Sequence, residues 1–270
     1  MMKRIRTALC LILAAALLAG CAFLPSESEP EALAPADPLT GHPLEWPGQR
    51  PVAVTIENST ASTTQWGISS ASVVLEALTE AGMATELCLV YPALAATPKV
   101  GPVAAGQDIY WRLLVGQQPL PVQRGGGQFD QNYLDYYSIR AVDALEAGRT
   151  AFDCGSEWSN APLWYTSGSA VSKVLDALSI SAVLTESRVT SAASAAAASA
   201  SSGSDAVLTV PALLPQEEDG KLPDATAPDA VNVRVCFDDN NATGFAYDPD
   251  SGLYRMLHAD GTPQLDANNG

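Results

Sequence analysis

The sequence has very few of the side chains that hydrolases use as a catalytic base. Histidine occurs only twice among 270 residues, as His42 and His258. The patterns G-x-S-x-G, H-E-x-x-H and G-x-x-x-x-G-K-[ST] are all absent. Because a nucleophile needs a neighbouring base to be activated, these absences argue against a serine hydrolase with a histidine base.

Cysteine is scarce as well. Apart from Cys10 and Cys21 in the N-terminal segment, the chain carries only Cys88, Cys154 and Cys236. Three thiols cannot form a full disulfide framework, since one is always left over. No C-x-x-C or histidine pair accompanies them, so neither a metal nor another cofactor is expected. Cys88 lies in the apolar run LCLVY and is predicted to be a small core residue.

Basic residues are also scarce relative to acidic ones. The chain has 14 basic and 30 acidic residues, and three of the basic ones lie within the first 20 residues. The remainder therefore carries 11 basic against 30 acidic residues, a formal charge of −19. Such a chain repels phosphate backbones and anionic lipid headgroups, so nucleic acid is not an expected partner.

The N-terminus carries the most informative pattern. Lys3, Arg4 and Arg6 precede an apolar run from residue 8 to residue 19, and Leu-Ala-Gly stands immediately before Cys21. This layout is typical of an export signal, and its end resembles a bacterial lipobox. The resemblance implies cleavage before Cys21 and attachment of diacylglycerol to its thiol. The apolar run is too short for a transmembrane helix, which needs about 20 residues.

Composition divides the rest of the chain. A Pro- and Glu-rich tether follows the signal peptide, and a Ser/Ala-rich and then Pro-rich linker predicts two folded units that move independently. The boundaries are 1–20 for the signal peptide, 21–47 for the tether, 48–188 for the first domain, 189–230 for the linker and 231–270 for the last unit. The last unit is expected to lack a closing strand.

Hydrophobic periodicity predicts alternating strands and helices in the first domain. Strands are predicted over residues 51–56, 86–91 and 119–123, and helices over 69–82, 108–115, 131–147 and 169–178. This order indicates an α/β domain, with a mixed α+β fold as the alternative. Short runs at 232–237, 243–247 and 253–257 predict a small antiparallel β domain.

Several segments also share a pattern in a fixed order. They are residues 37–44 (DPLTGHPL), 50–58 (RPVAVTIEN), 66–82 (WGISSASVVLEALTEAG), 101–103 (GPV), the glycines after Arg124, 161–167 (APLWYTS) and 245–255 (FAYDPDSGLYR). In this order they resemble the YerB-type bacterial lipoproteins, a family of unknown biochemical function. The resemblance implies an N-terminal domain followed by a β-rich second domain.

The chain departs from that family at polar positions. An arginine-bearing stretch that follows Gly-Pro-Val in the family is here residues 104–107 (AAGQ), and an Ala-Pro-His-Asn run is here residues 161–164 (APLW). Ser59 stands where the family often has histidine. If those residues form a site in relatives, this chain has lost its cations and imidazoles there, whereas Glu57, Asn58 and Glu76 match the pattern.

The candidate ligand pocket combines those matching residues with a glycine-rich loop. It consists of Glu57, Asn58, Glu76, Arg124, Gly125 and Gly126. Backbone N–H groups of the loop could bind an anion beside Arg124. The simpler interpretation is a loop whose glycines turn the chain into the next helix.

Two functions remain open from the sequence. One is a non-enzymatic, lipid-anchored protein outside the cytoplasmic membrane that binds an envelope protein or a wall glycan. The aromatic residues Trp158, Trp164 and Tyr165 are candidates for such contacts, and core packing is the commoner role of such side chains. The other is an envelope hydrolase that uses two carboxylates, as glycosidases do. The carboxylates considered are Glu57, Glu76, Glu80, Asp108, Asp130 and Asp135.

Overall fold

The structure is a computed structural model that describes residues 36–58, 64–79, 82–154, 163–184, 211–214 and 229–269. The signal peptide, Cys21, Glu80, Trp158 and most of the tether and linker lie outside these ranges. Within the described ranges, every helix is too short or too polar to cross a bilayer.

The larger sheet has five strands. They are β1 (Val52–Glu57), β2 (Val73–Leu78), β3 (Thr85–Tyr91), β4 (Leu120–Gln123) and β5 (Val142–Asp143). Their order in the sheet is β2-β3-β1-β4-β5. Strand β1 pairs antiparallel with β3 and parallel with β4. The sheet is therefore mixed, and the three strands predicted for this domain are confirmed to within one residue at each end.

Both faces of this sheet are buried, because alternate side chains of its central strands enter two separate cores. On β1, Val54 and Ile56 belong to one core, whereas Ala53 belongs to the other. Cys88 lies in the second core, and burial raises the pKa of its thiol. The prediction of an inert core cysteine is thus supported by its surroundings.

The helix predicted over residues 69–82 is wrong. A 3-10 turn at Ile68–Ser70 leads into β2, which pairs with β3 from Val73 opposite Val90 to Leu78 opposite Thr85. Apolar residues at helical spacing misled the prediction. The two adjacent valines at 73 and 74 also suit a pleated strand, and the free edge of β3 supplies hydrogen bonds that local periodicity does not reveal.

Short helices connect the strands and cover the sheet. They are α1 (Asp108–Leu114), α2 (Gln128–Tyr136), α3 (Ala144–Ala147) and α4 (Gly168–Val171). The helix predicted over 131–147 is wrong beyond the end of α2. Ser138 has a φ of 52°, a left-handed conformation that ends a helix, and the chain then enters β5. The helix predicted over 169–178 keeps only one α-helical turn.

The smaller sheet is antiparallel, as predicted. Its strands are β6 (Asn232–Cys236), β7 (Ala242–Asp248) and β8 (Leu253–Leu257), with β7 in the middle. Every residue of β6 is exposed. Asp248 accepts hydrogen bonds from the backbone N–H of Asp250 and from the guanidinium of Arg255, which fixes the turn between β7 and β8.

The smaller sheet and the C-terminal residues are hydrogen-bonded to the larger sheet. The hydroxyl of Thr243 donates to the carboxylate of Glu76. The carboxylate of Asp266 accepts from the N–H groups of Gly67 and Ser69 at 3.0 and 2.9 Å and from the Ser69 hydroxyl at 2.7 Å. This differs from the expectation of independently moving units, because the linker length does not show which side chains pair across it.

Candidate functional site

The glycine-rich loop follows β4 and is folded around two internal carboxylates. The N–H of Gly125 donates to both oxygens of Asp143, each at 3.0 Å. Gly125 has a φ of 68°, which favours glycine. A Cβ added at Gly126 would lie 1.9 Å from Oδ2 of Asp130, and one added at Gly106 would lie 2.6 Å from its Oδ1. These glycines are therefore required for close packing on Asp130.

Asp130 is completely buried and serves as an internal acceptor. The indole N–H of Trp111 donates to its Oδ1 at 2.5 Å, and the amide of Gln123 donates to its Oδ2 at 3.0 Å. Burial raises the pKa of Asp130, and these two hydrogen bonds oppose the rise. These contacts favour the interpretation of the glycine-rich loop as a structural turn that packs on Asp130 and Asp143.

Arg124 contacts both of the segments in which the chain departs from the family pattern. Its N–H donates to the carbonyl of Ala104 at 2.8 Å, and its guanidinium lies 5.0 Å from the ring centroid of Trp164. Ala104 and Trp164 belong to the two segments that differ from the YerB-type pattern. Trp164 is buried against Phe152, so it packs in the core and is not an exposed ligand-binding ring.

Asn58 and Glu76 lie together, and residues 102–104 lie between them and Arg124. The amide of Asn58 donates to Glu76 at 3.0 Å and to the Thr85 hydroxyl at 2.9 Å. The side-chain amide of Gln264 donates to Oδ1 of Asn58 at 3.0 Å. The cluster borders a cavity of about 210 Å³ that His258 also lines. Its hydrogen bonds attach the C-terminal residues to the larger sheet.

The six residues proposed as one pocket therefore form two groups in the described part of the chain. Residues 102–104 separate the groups, since the N–H of Glu57 donates to Pro102 and that of Arg124 donates to Ala104. The negative charge of Glu57 also acts on Tyr165: burial raises the pKa of the Tyr165 hydroxyl, and this charge raises it further. Tyr165 belongs to a different cavity.

That cavity is an open cleft of about 360 Å³, which we call the basic cleft. Three chain segments meet at it, joined by the pairing of Asp153 with Tyr165 and of Val100 with Thr166. The 3-10 turn Gly148–Thr150 and α4 flank them. The polar and aromatic side chains that line the cleft are Lys99, Arg149, Thr150, Phe152, Asp153, Tyr165, Thr166, Ser167 and Lys173.

Lys99 is held over this cleft by aromatic rings. Its Nζ lies 3.8 Å from the ring centroid of Trp66 and 4.9 Å from that of Tyr165. Such cation–π contacts stabilise an ammonium group by about 0.5–1 kcal/mol at exposed sites. They leave its N–H donors available, because the Lys99 side chain makes no hydrogen bond or ion pair with any described residue.

Sequence reasoning missed the basic cleft. Lys99, Arg149 and Lys173 are far apart in the sequence and match no motif. One signal was present: Lys99 and Lys173 are the two lysines among the residues that the structure describes, and both line the same cleft. Among those residues, no group of three or more His, Cys, Asp or Glu side chains could hold a metal ion.

Two comparisons with known proteins found a match to this chain, one with a family model and one with a solved structure. A family model described as "Protein of unknown function (DUF3048) N-terminal domain" matches residues 39–181, more than half of the chain. The crystal structure of the YerB protein from Bacillus subtilis matches with a TM-score of 0.64 and 23% sequence identity, covering 87% of this chain and 70% of that one. No curated protein matches the sequence.

Proposed function

The chain belongs to the YerB-type family of proteins of unknown function, and from that premise we propose that it is a lipid-anchored protein of the bacterial cell envelope that binds a wall glycan. The anchor is the Cys21 thioether expected from the N-terminal pattern. Acyl chains contribute about 0.8 kcal/mol per buried methylene, so two or more chains attach a protein stably. The tether then places the folded part at the wall.

The basic cleft is the observation that carries the binding proposal. Its volume of about 360 Å³ lies within the range of roughly 300–1,000 Å³ that small-molecule sites occupy. Saccharides present hydroxyl groups and apolar ring faces. The cleft offers matching groups in the carboxylate of Asp153, the hydroxyl of Ser167 and the half-buried ring of Tyr165.

The hydrolase alternative finds less support in the geometry. The carboxylates at the glycine-rich loop, Asp130 and Asp143, are occupied by hydrogen bonds from Trp111, Gln123 and Gly125. Glu76 accepts from Asn58 and Thr243. Groups engaged in this way hold the fold together. We therefore favour binding without turnover.

Co-sedimentation with purified, protein-free wall sacculi tests the proposal. The full chain, solubilised in detergent, should pellet with the sacculi, and Tyr165→Ala should reduce the bound fraction at least several-fold. Tyr136→Ala is the matched control, because Tyr136 is 81% exposed on α2, outside the cleft. Absence of binding by the unmutated chain would contradict the glycan proposal and favour an envelope protein as partner.

A further inference from the structure

The charge of the basic cleft opposes that of the rest of the molecule. Three cations line it, Lys99, Arg149 and Lys173, against one lining carboxylate, Asp153, and the nearby Glu57, whose negative charge acts on Tyr165. The chain as a whole has a formal charge of −16. An anion approaching this protein is repelled over most of its surface, and a local cluster of cations offsets that repulsion at the cleft.

Among the residues that the structure describes, the two lysines form no ion pair that would stabilise the fold. The ion pairs among the described residues join Arg112 with Asp108, Arg140 with Glu146 and Arg255 with Asp248, all outside the cleft. Lys99 and Lys173 pair with none of the described carboxylates. In a chain with 30 acidic residues, partners for two lysines are abundant, so their unpaired state leaves them available to a ligand.

Lys99 is also positioned in advance. Its ammonium group is held by the rings of Trp66 and Tyr165 at 3.8 and 4.9 Å. A flexible lysine loses rotamer entropy when it binds a ligand, at a cost of about 0.5–1.5 kcal/mol per immobilised side chain. Because the rings already restrict Lys99, part of that loss occurs before the ligand arrives.

Resting on the proposed function, we infer that the basic cleft recognises an acidic saccharide, whose phosphate or carboxylate group binds between Lys99 and Lys173. An ammonium group binds either anion as a point charge with three donors. The remaining polar lining, Asp153 and Ser167, then contacts the sugar hydroxyls. The shared chemistry is thus a sugar that bears a fixed negative charge.

Three small probes separate charge from sugar recognition. N-acetylglucosamine 1-phosphate carries a phosphate, N-acetylmuramic acid carries a carboxylate, and N-acetylglucosamine is neutral. Titration of the full chain should give dissociation constants at least tenfold lower for one or both anionic probes than for the neutral one. Tight binding of the phosphate probe alone identifies the ligand as a phosphate-bearing glycan. Tight binding of the carboxylate probe alone identifies it as a carboxylate-bearing glycan. Raising the salt concentration should weaken the anionic interaction.

Matched variants locate the binding. Lys173 is exposed, so Lys173→Gln preserves the fold and should weaken the anionic probes about fivefold or more, with a larger loss in Lys99→Gln/Lys173→Gln. Arg140→Gln removes one positive charge outside the cleft and should leave binding unchanged. Equal losses in Lys173→Gln and Arg140→Gln would overturn the inference, because they would show a non-local charge effect.

Other outcomes distinguish this inference from the proposed function. If sacculi bind but neither anionic probe binds better than the neutral sugar, the acidic-saccharide inference is wrong while the glycan-binding proposal stands. If neither the sacculi nor any probe binds, both are wrong.

Discussion

At the residue scale, Asp130 shows how a carboxylate can be essential to a fold without being a catalyst. It is fully buried, and its acceptors are filled by Trp111 and Gln123, with Gly126 packed against it. Removing a buried acceptor leaves its donors unsatisfied, which typically costs about 1–3 kcal/mol. Asp130 therefore belongs to the structural core of the glycine-rich loop.

The pH dependence of stability should report on Asp130. Burial raises its pKa in the folded state. A carboxyl group with a raised folded-state pKa stabilises the fold fully below the unfolded pKa of about 3.9, and this contribution is lost as the pH rises through the folded pKa. We expect the difference in free energy of unfolding between the unmutated chain and Asp130→Asn to move against the unmutated chain as pH rises.

Urea unfolding at a series of pH values measures this difference. Asp135→Asn is the control, because Asp135 lies on the same helix but is exposed. A difference for Asp130→Asn that does not vary with pH would contradict a raised pKa of Asp130 in the folded state.

At the element scale, the glycine-rich loop and β2 show what local sequence does and does not determine. The strands β1, β3 and β4 are predictable because each is an apolar run bounded by turn residues. Strand β2 is not, because its identity depends on pairing with β3. The residues predicted to form the ligand pocket are brought together only in part, because Asn58 and Glu76 are hydrogen-bonded whereas residues 102–104 lie between them and Arg124.

The packing of the glycine-rich loop is directly testable. Gly126→Ala places a methyl group against Asp130, where a Cβ would lie 1.9 Å from Oδ2. Overpacking of this kind destabilises a core by about 1–3 kcal/mol, so we expect a loss of that size in thermal or urea unfolding. Gly116→Ala is the control, because no heavy atom lies within 4 Å of the added Cβ. Equal stabilities of the two variants would contradict the described packing.

At the scale of the whole molecule, the proposed anchor and the net charge must act together. The formal charge of −16 gives the protein no electrostatic attraction to an anionic membrane, so the membrane attachment that we propose rests on the acyl chains proposed at Cys21. The basic cleft could not be predicted at this scale, because its cations are brought together only by the fold. Binding was one of two functions left open by the sequence, and the cleft that we propose for it became visible only in the fold.

Fractionation tests the anchor. Cys21→Ser should shift the protein from the membrane pellet to the supernatant, whereas the unmutated chain should stay in the pellet even in high salt. Cys10→Ser is the matched control, since Cys10 lies inside the apolar run and is not next to the predicted cleavage site. If Cys21→Ser stays fully membrane-bound, the lipid anchor is wrong.

Hydrogen exchange of the full chain, measured with and without soluble fragments of wall glycan, tests most directly whether the basic cleft is the binding site. Bound glycan should slow amide exchange in residues 148–153 and 163–173, which form the cleft, and leave β6, β7 and β8 unchanged. Protection confined to the smaller sheet, or none at saturating glycan, would contradict this assignment.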